Sequence, residues 1–149
     1  MTQRGFTLVE LMVVLAIVMT IAAIAMPSYT ENIKQSKRAE AKAQLLEAAQ
    51  YMQRFYSQND SYAQNRAGTA VTVPDALVRV PRTAAAGSQN YSIGFATPAP
   101  TTATFTLQAA PRVDGSMAGD KCGTFTLTQA GQRGVAGNAA GTTADSCWK

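Results

Sequence analysis

From Phe6 to Met26 the chain is apolar throughout, with a single charge at Glu10. At about 1.5 Å per residue, a helix over that run is roughly 31 Å long, one hydrocarbon core. Such a stretch fits three roles: a cleaved secretory signal, a membrane anchor, or a segment that serves first in a bilayer and later inside a protein polymer. Arg4 and the small-x-small triplet Ala23-Ile24-Ala25 resemble a secretory signal. The run is longer than the roughly 7–15 residues of a signal core, however, and a carboxylate stands inside it.

Glu10 asks for an explanation. A carboxylate at the centre of a membrane helix costs about 2.5–3.5 kcal/mol on insertion scales. Either it lies near enough to the helix end to reach headgroups, or a cation answers it inside the apolar layer.

Beyond Pro27 the composition turns polar and rich in Ala and Thr, as for one soluble domain joined to one apolar segment. The chain has no histidine, which removes the commonest general base and the commonest metal ligand. No acid pair, nucleophile motif or phosphate-cradling glycine loop takes their place, so no catalytic residue, metal site or cofactor is expected. Asp114 and Asp120 read as turn residues rather than a calcium site. Thirteen Lys+Arg against nine Asp+Glu leave a charge of +4. That is mild and scattered, without the aromatic-interleaved stripe of a general nucleic-acid binder, and it marks no specific nucleic-acid site. Cys122 and Cys147 are too far apart for a CxxC motif and too few for a zinc site. They read as a disulfide if the domain lies outside the cytoplasm.

Ser28 to Ser57 lacks Gly and Pro and predicts helix. Ala41, Leu45, Ala48, Met52 and Phe55 share one face, flanked by Tyr51 and Tyr56. Lys34, Arg38 and Lys42 line another, read as a solvated stripe, the alternative being contact with acidic groups of neighbouring copies. After the turn cluster Ser57–Ser61 and a Pro-containing loop, period-two alternation predicts strands over 90–96, 103–109 and 123–129, with a short edge strand over 132–136. The class is α+β: a long N-terminal helix packed on a three- to four-stranded antiparallel sheet. The Gly-, Ala- and Thr-rich tail 134–145 is expected to fray unless a Cys122–Cys147 bond pins it, worth roughly 3–4 kcal/mol.

The string Gly5-Phe6-Thr7-Leu8-Val9-Glu10-Leu11-Met12, preceded by Arg4, resembles the prepilin leader of type IV pilins. The resemblance implies removal of residues 1–5, with cleavage between Gly5 and Phe6 and methylation of the new Phe6 amine by a prepilin peptidase/methyltransferase. It implies a transmembrane and filament-core helix over 6–27, an amphipathic continuation over 28–57 and a globular head over 58–149. Glu10 matches the family's acid, which pairs with a neighbour's Phe6 amine and sets register, because a mismatched subunit would bury an unpaired charge. Pro27 matches the family's helix-kinking proline. Cys122–Cys147 matches its disulfide-bounded C-terminal region, and Cys122-Gly123-Thr124-Phe125 with Cys147-Trp148 resembles a minor pilin.

The implied protein is a structural subunit, not an enzyme, of a type IV pilus used in adhesion, twitching motility or DNA uptake. Its implied partners are other pilin and minor pilin subunits and an inner-membrane assembly platform. It would sit as a single-pass inner-membrane protein with a periplasmic head before entering an extracellular pilus. Counting basic residues alone favours the opposite orientation, since Lys34, Lys37, Arg38 and Lys42 follow the run while only Arg4 precedes it. The alternative role is a pseudopilin of a type II secretion system.

Overall fold

A computed structural model describes residues 7–149. These described residues fall into two units, one ending at residue 36 and one spanning 37–149. Helix α1, Leu8–Asn59, begins in the first and ends in the second. In the first unit the Thr7 side chain accepts the Glu10 backbone N–H at 3.2 Å, satisfying one of the orphan donors of the first turn. Thr20 returns its hydroxyl to the Ala16 carbonyl at 2.7 Å, so this side chain brings no bare donor into the apolar stretch.

The head is a five-stranded antiparallel meander in the order β1-β2-β3-β4-β5. Short helix α2 (Asp75–Val78) leads into β1 (Arg79–Val80), followed by β2 (Tyr91–Phe95), β3 (Thr106–Pro111), β4 (Thr124–Thr128), β5 (Arg133–Ala136) and helix α3 (Ala144–Trp148). Ile93 opposes Ala109, Leu107 opposes Leu127, and Phe125 opposes both Ala109 and Val135, so the apolar alternation of β2, β3 and β4 falls on one face. That face and the α1 residues Ala41, Leu45, Ala48 and Met52, all at 0% exposure, form one core. Full burial of Leu45 and of Met52 stabilises by roughly 1.5–3 kcal/mol each.

The structure departs from the sequence reading in several places. Phe55, expected on the buried helix face, is only half-buried. The stripe ends at Met52, and Tyr62 takes the next position, 4.5 Å from the Tyr56 ring and edge-on to Phe105 at 4.8 Å. The second strand starts at Thr106 instead of 103 because Thr101 Oγ1 accepts the N–H groups of Ala103 and Thr104, closing a turn that competes with the ladder. A fifth strand, β1, extends the sheet; two residues long, it is too short to show periodicity. The tail folds as well: Thr143 and Ser146 form a reciprocal capping box that starts α3.

At both borders of the sheet a side-chain donor takes backbone carbonyls. The Gln44 amide donates to the carbonyls of Leu77 (2.9 Å) and Arg79 (2.7 Å) at the β1 side. The Trp148 indole donates to the Gly134 carbonyl of β5 at 2.9 Å. Such closure blunts an edge that could otherwise pair with another chain.

Candidate functional site

Two regions carry chemistry. In the first unit, every large hydrophobic side chain from Leu8 to Met26 is exposed, on all sides of the helix. A helix that is apolar all round is built to be buried, in lipid or among other helices, and this one is long and apolar enough to cross a membrane. Glu10 lies in its first turn. Gly5 and Phe6 lie outside the described residues. The helical range includes Pro27.

In the head, the α1 face carrying Lys37, Arg38 and Lys42 holds the disulfide-bearing loop and the C-terminus. Arg38 donates through Nε to Asp120 Oδ2 at 2.9 Å and through Nη2 to Oδ1 at 2.5 Å, with both side chains nearly inaccessible to water. Asp120 Oδ2 also accepts the Cys122 N–H at 3.2 Å. Lys37 donates to Ser116 Oγ at 2.7 Å, and Ser116 in turn donates to Asn90. Lys42 donates to the carbonyls of Cys147 and Lys149, each at 2.9 Å. Burial, then the charges of Arg38 and Arg133, hold the Lys42 ammonium below its ordinary pKa. The expectation of a solvated stripe is therefore corrected at Arg38 and Lys42: helical spacing put them on one face, and what covers that face comes from residues about a hundred positions away. Asp120, read as a turn residue, is the buried acceptor of this strip.

Beside the fork stands Tyr91, fully buried, whose hydroxyl has no hydrogen-bond partner among the described residues. Burial first, and the Asp120 carboxylate second, push its pKa well above the usual tyrosine value.

Cys122 and Cys147 are joined, with an S–S distance of 2.01 Å. Gly123 follows at φ +59, and an added Cβ there would lie 2.4 Å from the Ala136 carbonyl oxygen. This glycine lets the disulfide loop run against the end of β5, in a backbone region L-residues rarely adopt. Trp148 packs edge-on to Phe125 at 5.6 Å, and the Arg133 guanidinium lies 5.3 Å above its ring.

Sequence reasoning singled out Glu10, Pro27 and the cysteines but missed Asp120, Tyr91, Arg133 and Trp148 as a cluster. The alternation on β2 placed Tyr91 inward, and that was the one available signal. The structure brings Cys122, Cys147, Asp120 and Arg38 together; Glu10 and Pro27 belong to the other unit.

Residues 27–126 match the family model described as "Type IV minor pilin ComP, DNA uptake sequence receptor", and residues 1–26 match that described as "Prokaryotic N-terminal methylation motif". The chain is 43% identical over 61 residues to the type IV major pilin protein PilA of Myxococcus xanthus (strain DK1622), covering 41% of this chain and 28% of that protein. It is 51% identical over 39 residues to the fimbrial protein EcpC of Eikenella corrodens, covering 26% of each. These matches span about a quarter of the relatives' own lengths. The solved non-core minor pilin PilV of Neisseria meningitidis superposes with a TM-score of 0.51 at 18% identity, over 75% of this chain and 94% of that one. The long helix with an antiparallel sheet, expected from the sequence, is the fold it shares with that protein.

Proposed function

The chain belongs to the type IV minor pilin family whose members are described as ComP, DNA uptake sequence receptor, and from that premise we propose that it is a minor subunit of a type IV pilus whose head takes DNA. The observation that carries this reading is the family match across 27–126, about two thirds of the chain and all of it beyond the apolar run 6–26. The mild net charge gave no such indication, so the DNA reading rests on the family and not on composition. Family and fold are those of structural proteins. The same match favours a pilus subunit over a secretion pseudopilin.

Assembly follows from the first unit. A wholly exposed apolar helix is satisfied by lipid before polymerisation and by other pilin helices afterwards. In this proposal a prepilin peptidase cuts between Gly5 and Phe6 and methylates the new amine. An inner-membrane platform then lifts the subunit, head on the periplasmic side, into the growing filament. The methylation-motif match over 1–26 supports that processing. Glu10 answers the Phe6 amine of a neighbouring subunit. A helix with proline in its interior lacks one ladder donor there, so Pro27 is where α1 loosens on packing.

The test is to shear filaments from cells and search them by mass spectrometry for this chain. The proposal expects it to begin at a methylated Phe6, and expects cells lacking it to keep pili but lose DNA uptake. A chain that begins elsewhere, or uptake unchanged by its loss, overturns the proposal.

A further inference from the structure

Arginines in the head mostly face carboxylates: Arg38 meets Asp120, Arg66 meets Asp60, Arg82 meets Glu47 and Arg112 meets Asp114. Arg133 is held differently. It is exposed on β5 with its guanidinium carbon 5.3 Å over the Trp148 ring. The ring cannot drift, because its indole N–H is tied to Gly134 at 2.9 Å and its edge meets Phe125 at 5.6 Å. Stacking of this kind fixes the guanidinium plane while leaving its N–H edge able to donate.

That edge borders an open cleft of about 330 Å³ lined by Arg133, Asp145, Trp148 and Lys149. Lys42 lies just behind it, its ammonium on the carbonyls of Cys147 and Lys149. The like charges of Arg38 and Arg133 act on Lys42, after burial itself, to disfavour its charged form. Cations gathered at such a cost, around a cleft whose wall also carries the Asp145 carboxylate, favour an anion on the Arg133 side that would relieve the crowding.

We propose that the Arg133–Trp148–Lys149 cleft is a phosphodiester-binding subsite, in which the guanidinium edge of Arg133 takes a backbone phosphate of DNA and Lys149 supplies a second cation. This rests on the DNA-binding reading above and names the place where it happens. An arginine fork suits two phosphate oxygens at once. Asp145 repels phosphate from its own side of the cleft and so biases the strand toward Arg133.

Trp148 is the only tryptophan, so its emission reports on the cleft directly. The experiment uses the full chain in neutral detergent, titrated with labelled duplex DNA over a range of salt, following both DNA anisotropy and Trp148 emission. The expected result is a saturable change in emission with DNA. Arg133→Ala should weaken binding roughly tenfold and lower the salt slope by about one. Arg133→Lys should keep the slope and lose part of the affinity, and Lys149→Ala, remote from the core, should weaken binding without altering thermal unfolding. Wild-type affinity in both Arg133→Ala and Lys149→Ala overturns the subsite while leaving DNA binding by the head intact. Absence of any DNA binding by the wild-type chain overturns both. A Trp148 response to phosphatidylglycerol vesicles or inorganic phosphate, with none to DNA, also overturns the subsite as a DNA site.

Discussion

Arg38 and Asp120 stand 82 residues apart and form a two-pronged ion pair that is shut off from water, with the backbone N–H of Cys122 as a third donor to the carboxylate. Through it the helix holds the loop that bears the disulfide. Burying two charges gains little over an apolar pair of similar volume, but removing one partner strands the other.

Arg38→Ala and Asp120→Ala are each expected to destabilise the head by about 3–5 kcal/mol, whereas the double variant Arg38→Met/Asp120→Leu recovers most of that loss. Urea unfolding followed by Trp148 emission measures all three. Single variants as stable as the double would show that the fork is not the determinant.

Tyr91 predicts the alkaline behaviour. Its folded-state pKa lies above the unfolded value, so the unfolded chain releases the proton first. Below about pH 10 the hydroxyl is neutral in both states and adds no pH dependence; above it, ionisation favours the unfolded chain and stability falls as pH rises. Lys42 has the opposite sign. Its folded pKa is lowered, so a penalty present at neutral pH is relieved as pH climbs toward the ordinary lysine value. Tyr91→Phe removes a hydroxyl without a partner, and is expected to stabilise by about 1 kcal/mol and to abolish the decline above pH 10. Unfolding midpoints from pH 7 to 11 for the two proteins decide it.

Breaking the Cys122–Cys147 bond releases a loop of sequence separation 25. Cys122→Ser/Cys147→Ser is expected to lose about 3 kcal/mol, read as a lower urea midpoint. The Lys42 contacts to the C-terminus remain, so the core should still fold. A midpoint equal to that of the wild-type protein would refute the estimate.

Gly123 and Gly134 make a paired test. A Cβ at Gly123 meets backbone at 2.4 Å and sits at φ +59, whereas one at Gly134 meets only the Thr126 hydroxyl, at 2.6 Å, which can rotate away. Gly123→Ala is therefore expected to cost more than about 2 kcal/mol and Gly134→Ala about 1 kcal/mol or less. Equal losses in thermal unfolding would contradict the stated geometry.

Glu10→Gln tests the assembly half of the proposal. Membrane insertion should be unchanged or improved, because a neutral amide costs less in lipid than a carboxylate. Recovery of the chain in sheared filaments should fall several-fold.

Much of this architecture could be read from period alone. The apolar run, the 3.6-residue face of Ala41, Leu45, Ala48 and Met52, and the alternation of β2, β3 and β4 are local signals, and the structure contains each of these elements. What could not be read was short or non-local. β1 has two residues, α3 is announced only by the Thr143/Ser146 cap, and Arg38 finds its carboxylate far along the chain. A charge at helical spacing tells which side of a helix it occupies, not whether water or an aspartate waits there. The Arg133–Trp148 stack was hidden for the same reason, since β5 and α3 meet only once the tail folds back.

The Gln44 amide and the Trp148 indole occupy carbonyls at opposite borders of the meander. In the filament proposed above, heads would sit at very high local concentration, where open ladders could pair between copies. With those acceptors already taken, the proposed filament would leave the exposed apolar helix, rather than the sheet borders, as the surface through which copies meet.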